Sequence, residues 1–216
     1  MLYNIFMPRR NPGLVNGEIY HVFNRGVEKR KTFLTDKDFE HFLETLDHYQ
    51  SDKSKLSRRA KNSEIRNPKI VEILCFVLMP NHFHLLLKQR EDDGISTFMN
   101  RVQNSFAKYF NTKNDRVGPL FQGPFKSIRV GTDEQLVHVS RYIHLNPLVS
   151  GLVDNLEKYS WSSFHTYIGS ESEDLVELKA DQILGYFNST ADYKKFVLDH
   201  AEYAKSLETL KHHLVD

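Results

Sequence analysis

One cysteine, Cys75, occurs in 216 residues, so no disulfide can form within the chain, and the composition fits a reducing compartment. No apolar run reaches the roughly 20 residues needed to span a bilayer. The best candidate, Ile70 to Met79, is short and is interrupted by Glu72. No apolar stretch with a small-residue cleavage site accompanies Arg9 and Arg10, so the expectation is a cytoplasmic protein without a signal peptide or membrane span. Internal repeats and low-complexity tracts are absent, and clustered cysteines for a closed structural zinc site are lacking too. Excess charge of one sign is nearly missing as well, the net being +1.

That small total conceals a division. Through Gly169 there are 24 Lys and Arg against 18 Asp and Glu, a net +6, whereas Ser170 to Asp216 carries 5 against 10, a net −5. A basic body with an acidic tail points toward nucleic acid, although charge clusters are also ordinary solvated surface. With 40% apolar and 26% charged residues, the chain has the composition of a globular protein. The expected organisation is a domain over residues 1–169, with a polar insert at 51–69, and an acidic helical extension over 170–216. The insert holds seven basic residues from Lys53 to Lys69 and reads equally as solvated linker or DNA-contacting arm.

Hydrophobic periodicity supplies the element order. Glu18 to Arg25 alternates around Ile19, Tyr20, Val22 and Phe23, as a strand does. Thr35 with Asp38 forms a capping-box signal before Phe39, Phe42, Leu43, Leu46 and Tyr49, which recur at helical spacing. Ile70 to Leu78 reads as a buried strand, Pro80-Asn81 as a turn, and His82 to Lys88 as the returning strand. Met99, Val102, Phe106, Tyr109 and Phe110 mark a second helix, and Phe125 to Val130 a short strand. Thr132 with Gln135 opens a third helix through Leu136, Val139 and Ile143, which Pro147 is expected to stop. Short helices follow around Leu184, Phe187, Tyr193, Phe196 and Val197. The order β-α-β-β-α-β then helix predicts an α+β, ferredoxin-like antiparallel sheet with helices on one face, a further helix and a small helical extension.

Two constellations carry chemistry. Residues two apart on a strand share a face with Cα atoms roughly 6.5 Å apart, so His82 and His84 can converge on one cation while Phe83 enters the core. The same pair also suits an ordinary half-exposed strand. On a helix, Tyr142 and Asn146 lie one above the other at i and i+4. A phenol is a covalent nucleophile in some enzymes, and a cation beside it can orient and polarise a phosphate. Tyr142 as a core aromatic and Asn146 as a helix end are the plainer alternatives.

Longer stretches around these residues resemble one family. Met79-Pro80-Asn81-His82-Phe83-His84-Leu85-Leu86-Leu87 is similar to the His-hydrophobic-His strand of the single-tyrosine HUH transposases, and Arg141 to Val153 resembles their tyrosine helix and its continuation. Tyr20-His21-Val22-Phe23-Asn24-Arg25-Gly26 and Tyr159-Ser160-Trp161-Ser162-Ser163 complete a set in the expected order, similar to the branch named REP-associated tyrosine transposases. The resemblance implies His82, His84 and Asn146 as ligands of Mg²⁺ or Mn²⁺, and Tyr142 as the nucleophile that leaves a 5′-phosphotyrosine and a free 3′-hydroxyl. It implies single-stranded DNA with hairpins as the substrate. The family's third ligand is often Gln, one methylene longer than Asn146.

Arg25, Lys29, Arg30, Lys31, Lys113, Arg116, Lys126 and Arg129 flank the expected sheet and are candidates for holding a DNA backbone. Phe121 and Phe125 suit either base stacking or the core. Two other functions compete: a catalytically silent hairpin-binding protein, and a metal-dependent hydrolase in which water replaces Tyr142. The sequence leaves monomer and homodimer both open.

Overall fold

Alternation around Tyr20 and Val22 becomes strand β1 (Ile19–Arg25), and the Thr35 signal opens helix α1 (Asp36–Tyr49). The capping box forms as read, with the Asp38 carboxylate accepting from the Thr35 N–H at 2.9 Å. The computed structural model describes residues 13–51, 69–170 and 175–206. Residues 52–68 of the basic insert and 207–216 of the extension lie outside the described residues; Ser51 and Lys69, at the insert's ends, pair in an antiparallel bridge.

Strands β2 (Val71–Met79) and β3 (His82–Gln89) form the expected hairpin about Pro80-Asn81, and helix α2 (Gly94–Lys113) leads to the short β4 (Lys126–Val130). The sheet order is β2-β3-β1-β4 with every neighbouring pair antiparallel. That is the ferredoxin-like arrangement, and it puts β1 and β3 in the centre.

Strand parity assigns two faces. Tyr20, Val22, Phe76, Leu78, Phe83 and Leu85 meet Phe42 and Leu46 of α1 and Phe98, Val102 and Phe106 of α2 in one buried cluster. Phe121 is buried in this cluster and Phe125 packs beside it, so both belong to the core side of the alternatives. On the reverse face Leu74, Val77, Met79 and Leu86 meet Leu136, Ile143 and Leu148 of helix α3 (Asp133–Val149). Alternation along β2 turns Phe76 and Leu78 to the first cluster and Val77 and Met79 to the second, and a register shift between Ile73 and Cys75 sets Leu74 and Cys75 together in the second. Both faces are therefore buried, and the sequence is an almost unbroken apolar run.

Helix α3 differs from expectation at its end. Pro147 lies inside it and the helix closes only after Val149, with Gly151 following at φ 70°. A proline removes a single donor, so a last short turn still forms, closed by the Ser150 N–H on the Asn146 carbonyl at 3.0 Å.

Short helices follow, among them α4 (Phe164–Tyr167), α5 (Asp181–Leu184) and α6 (Thr190–Leu198). Tyr167, Ile183, Tyr193 and Val197 enter the same cluster as α3, and the Arg141 guanidinium lies 4.3 Å from the Phe196 ring centre. The segment Trp161–Ser163 runs along the outer edge of β2: the Leu78 N–H donates to the Trp161 carbonyl at 2.8 Å and the Ser163 N–H to the Phe76 carbonyl at 3.1 Å. The motif around Trp161 therefore covers a sheet edge that would otherwise present unpaired backbone. Among the described residues no helix is long and apolar enough to cross a membrane.

Candidate functional site

The central strands set the site. Register pairs Phe23 with His84 and Arg25 with His82 across β1 and β3, and parity turns His21, Phe23, Arg25, His82 and His84 to the face crossed by α3. Lys126 pairs with Phe23 from β4 and joins them. Helix α3 passes over this end and presents Tyr142, 52% exposed. Its ring stands edge-on to the imidazoles of His84 and His21, at centroid distances of 5.5 and 5.8 Å.

One helical turn on, the Asn146 amide N–H donates to the Tyr142 carbonyl at 2.8 Å, which leaves its oxygen as the outward acceptor, and the side chain hydrogen-bonds with His82. The i, i+4 spacing thus delivers the phenol above one histidine and the amide beside the other. His82 is held from the turn, its Nδ1 lying 2.6 Å from Asn81 Oδ1. With the proton on Nδ1 the Asn81 oxygen accepts it and Nε2 keeps its lone pair; with the proton on Nε2 the Asn146 oxygen is the acceptor instead. His84 Nδ1 lies 2.8 Å from His21 Nε2, with the two rings stacked.

Burial sets the charge state. It pushes His21 down to about 4. His82 is also held down at about 4, by burial first and then by the charge of Arg25, against the hydrogen bond with Asn146. His84, 7% exposed, lies well below the ordinary imidazole range because of burial and its two neighbouring histidines. All three are neutral near pH 7, the form that ligates metals. Among the described residues no group of three or more His, Cys, Asp or Glu side chains is arranged to hold a metal ion. The donor set here is instead two imidazoles and an amide oxygen, which suits a cation that keeps several waters; nitrogen donors suit Mn²⁺ better than Mg²⁺.

The basic residues read from sequence separate into three groups. Arg25 and Lys126 line a cleft of ≈ 230 Å³ together with Phe23, His82, His84 and Gln122. Lys29, Arg30 and Lys31 follow in the adjoining loop, fixed to the β2–β3 turn by the Asn81 amide on the Lys29 carbonyl at 3.1 Å. That loop folds back at Gly26, where a Cβ would sit 2.3 Å from the Arg30 carbonyl oxygen, so no larger residue fits. The others lie elsewhere. Arg116 bonds to Asn111 and to the Pro119 carbonyl within the α2–β4 connection, Lys113 pairs with Asp38 at 2.6 Å, and Arg129 pairs with Glu18 at 2.8 Å. Arg129 is opposite Tyr20, on the sheet face away from Tyr142.

Sequence reasoning missed His21, Phe23 and Gln122 as site residues. His21 was visible inside its strand motif, and its parity with Phe23 and Arg25 was the available signal. What sequence withheld was the register of β1 against β3, which pairs Phe23 with His84.

The family model described as "Transposase IS200 like" matches residues 16–146. The chain belongs to the IS200-like transposase family. The match spans the sheet, α1, α2 and α3 as far as Asn146. A protein of Haemophilus influenzae named as a REP-associated tyrosine transposase is 26% identical over 110 residues, which cover 46% of this chain and 62% of that relative. Among solved structures, a REP-associated tyrosine transposase bound to a REP hairpin is similar with a TM-score of 0.54 at 17% identity, covering 81% of this chain and 96% of that one. At that identity the likeness speaks for the fold. It extends the agreement with the ferredoxin-like reading to most of the chain.

Proposed function

We propose that this chain cuts and rejoins single-stranded DNA beside hairpins, with Tyr142 as nucleophile and a divalent cation held by His82, His84 and Asn146. The observation that carries this reading is the position of the Tyr142 phenol, edge-on to His84, with Asn146 one turn away against His82. A bound Mg²⁺ or Mn²⁺ would neutralise charge on the scissile phosphate.

The remaining chemistry falls to the chain's own residues. The phenol oxygen attacks phosphorus, its proton passing to water at the exposed edge of the ring. The bond from phosphorus to the 3′ oxygen breaks, and the electron pair leaves on that oxygen, which takes up a proton as a 3′-hydroxyl. The 5′-phosphate stays on Tyr142. Attack by another 3′-hydroxyl reverses the step and releases the tyrosine, so one phosphodiester replaces another without an outside energy source. Arg25 and Lys126 hold the phosphates on either side, and Lys29, Arg30 and Lys31 extend that track. Tyr142 serves the site of its own chain, so a monomer suffices. The hairpin preference draws support from the relative solved with a REP hairpin.

Incubation with 5′- and 3′-labelled hairpin single strands, resolved on a denaturing gel, tests the reading. The expected result is a protein-linked product carrying only the 3′ label and a free strand carrying the 5′ label. Two free strands with no protein adduct would mean attack by water, and intact strands bound without cutting would mean a silent binding protein.

A further inference from the structure

We infer that His21 is a positioning residue: it accepts a hydrogen bond from His84 Nδ1, thereby fixing the His84 tautomer whose Nε2 can take a cation, and it braces the ring of Tyr142. The inference rests on the reading of His84 as a ligand.

The geometry is specific. His21 Nε2 and His84 Nδ1 are 2.8 Å apart, with the rings stacked at 5.0 Å. His21 is 8% exposed and His84 7%, so water does not readily substitute for either partner. Of two neutral imidazoles facing each other through one nitrogen apiece, one must donate and the other accept. If His84 Nδ1 accepted, its single proton would sit on Nε2 and block that atom as a ligand. If Nδ1 donates, Nε2 is left with its lone pair. His82 has the second arrangement when its Nδ1–H is given to the Asn81 oxygen. With His21 as acceptor the two histidines match, each donating from Nδ1 and each offering Nε2. A ligand histidine whose other nitrogen donates to a fixed acceptor is both oriented and made more basic.

His21 also reaches the nucleophile. Its ring meets Tyr142 edge-on at 5.8 Å and lies tilted against Phe23 at 5.0 Å. One side chain on β1 therefore touches a ligand on β3 and the phenol on α3, and couples their placement.

The test uses the full chain with ¹⁵N-labelled histidine, first free of metal. Long-range proton–nitrogen spectra report the tautomer of His84, and Mn²⁺ titration followed by electron paramagnetic resonance gives the cation affinity. The expected wild-type state of His84 is the Nδ1–H tautomer. His21→Phe keeps a ring beside Tyr142 but removes the acceptor; it should shift His84 toward Nε2–H and weaken Mn²⁺ binding about 10- to 100-fold. His21→Gln, whose side-chain oxygen accepts, should restore most of the affinity. An Nε2–H tautomer in the wild type, unchanged Mn²⁺ affinity in His21→Phe, or a His21→Gln no better than His21→Phe would each overturn the inference. The wild-type spectrum needs no variant, so a variant that fails to fold does not remove the test. His84→Ala separates the two levels: if it retains full Mn²⁺ affinity, the ligand assignment itself falls and this inference with it. If it loses affinity while His21→Phe does not, only the role of His21 falls.

Discussion

On the face covered by α1 and α2, the sheet meets tilted and edge-on phenylalanines, with Phe33, Phe42, Phe83 and Phe106 at 4.9–5.3 Å from one another where they touch. On the face crossed by α3, the same strands bury histidines. His21 meets His84, and deeper in, His144 contacts the Tyr193 hydroxyl at 2.7 Å and Ser163 Oγ at 2.8 Å. An apolar interior needs only shape, whereas a buried imidazole needs a partner at each polar atom or forfeits its hydration without return. The first face is therefore a platform for stability and the second a set of fixed polar positions. Within the second, Tyr142 and His144 sit two residues apart on α3 with opposite surroundings: one is open to solvent, the other fully buried.

The difference predicts that substitutions on the two faces fail in different ways. His84→Ala should lower cleavage by at least about a thousandfold and abolish cation dependence, while circular dichroism stays native and stability falls by only about 1–3 kcal/mol, the cost of leaving buried His21 without its partner. Phe42→Ala should do the reverse, costing about 3–5 kcal/mol of stability by urea unfolding while the fraction that stays folded binds Mn²⁺ normally. Equal damage to stability from both would erase the contrast.

Acid should act through the histidine face. Burial holds His144 at about 3 in the fold against 6.5 for an unperturbed imidazole, so the unfolded chain binds the extra proton throughout that interval. Stability is full above the unfolded value and is lost as pH falls toward the folded one, by about 2 kcal/mol at about pH 5 from this residue alone. His21 and His82 shift in the same direction. Urea midpoints that stay level between about pH 7.5 and about pH 5 would contradict this account of the buried network.

The smallest effect separates the faces by charge. Lys126→Ala should reduce the salt dependence of single-strand binding by about one unit of slope, the mark of one lost phosphate contact. Arg129→Ala, three residues along the same strand but on the other face and paired with Glu18, should leave the slope unchanged.

Much of this division was legible in the sequence, for local reasons. His82 and His84 share a face by the period of two, and Tyr142 and Asn146 by the turn of a helix, so each pair could be read without knowing the other's place. The strand and helix order gave the sheet type in the same way. The non-local facts were not legible. That His21 touches His84 depends on the register of β1 against β3, between residues 63 apart in sequence. That His144 is held by Tyr193, 49 residues on, depends on α6 reaching the back of the tyrosine helix. The described helices of the extension pack in one core with α3. The basic residues likewise looked equivalent until register put Lys126 beside the histidines and Arg129 behind them.

The central claim is that the phenol of Tyr142 becomes covalently joined to DNA. Intact-mass measurement of the protein after incubation with a hairpin single strand and Mn²⁺, followed by peptide mapping, tests it most directly. The account predicts a mass increase equal to the 3′-side fragment, mapped to the peptide containing Tyr142, and its complete loss in Tyr142→Phe with hairpin binding retained. An adduct on another residue, or strand cleavage undiminished in Tyr142→Phe, would contradict it.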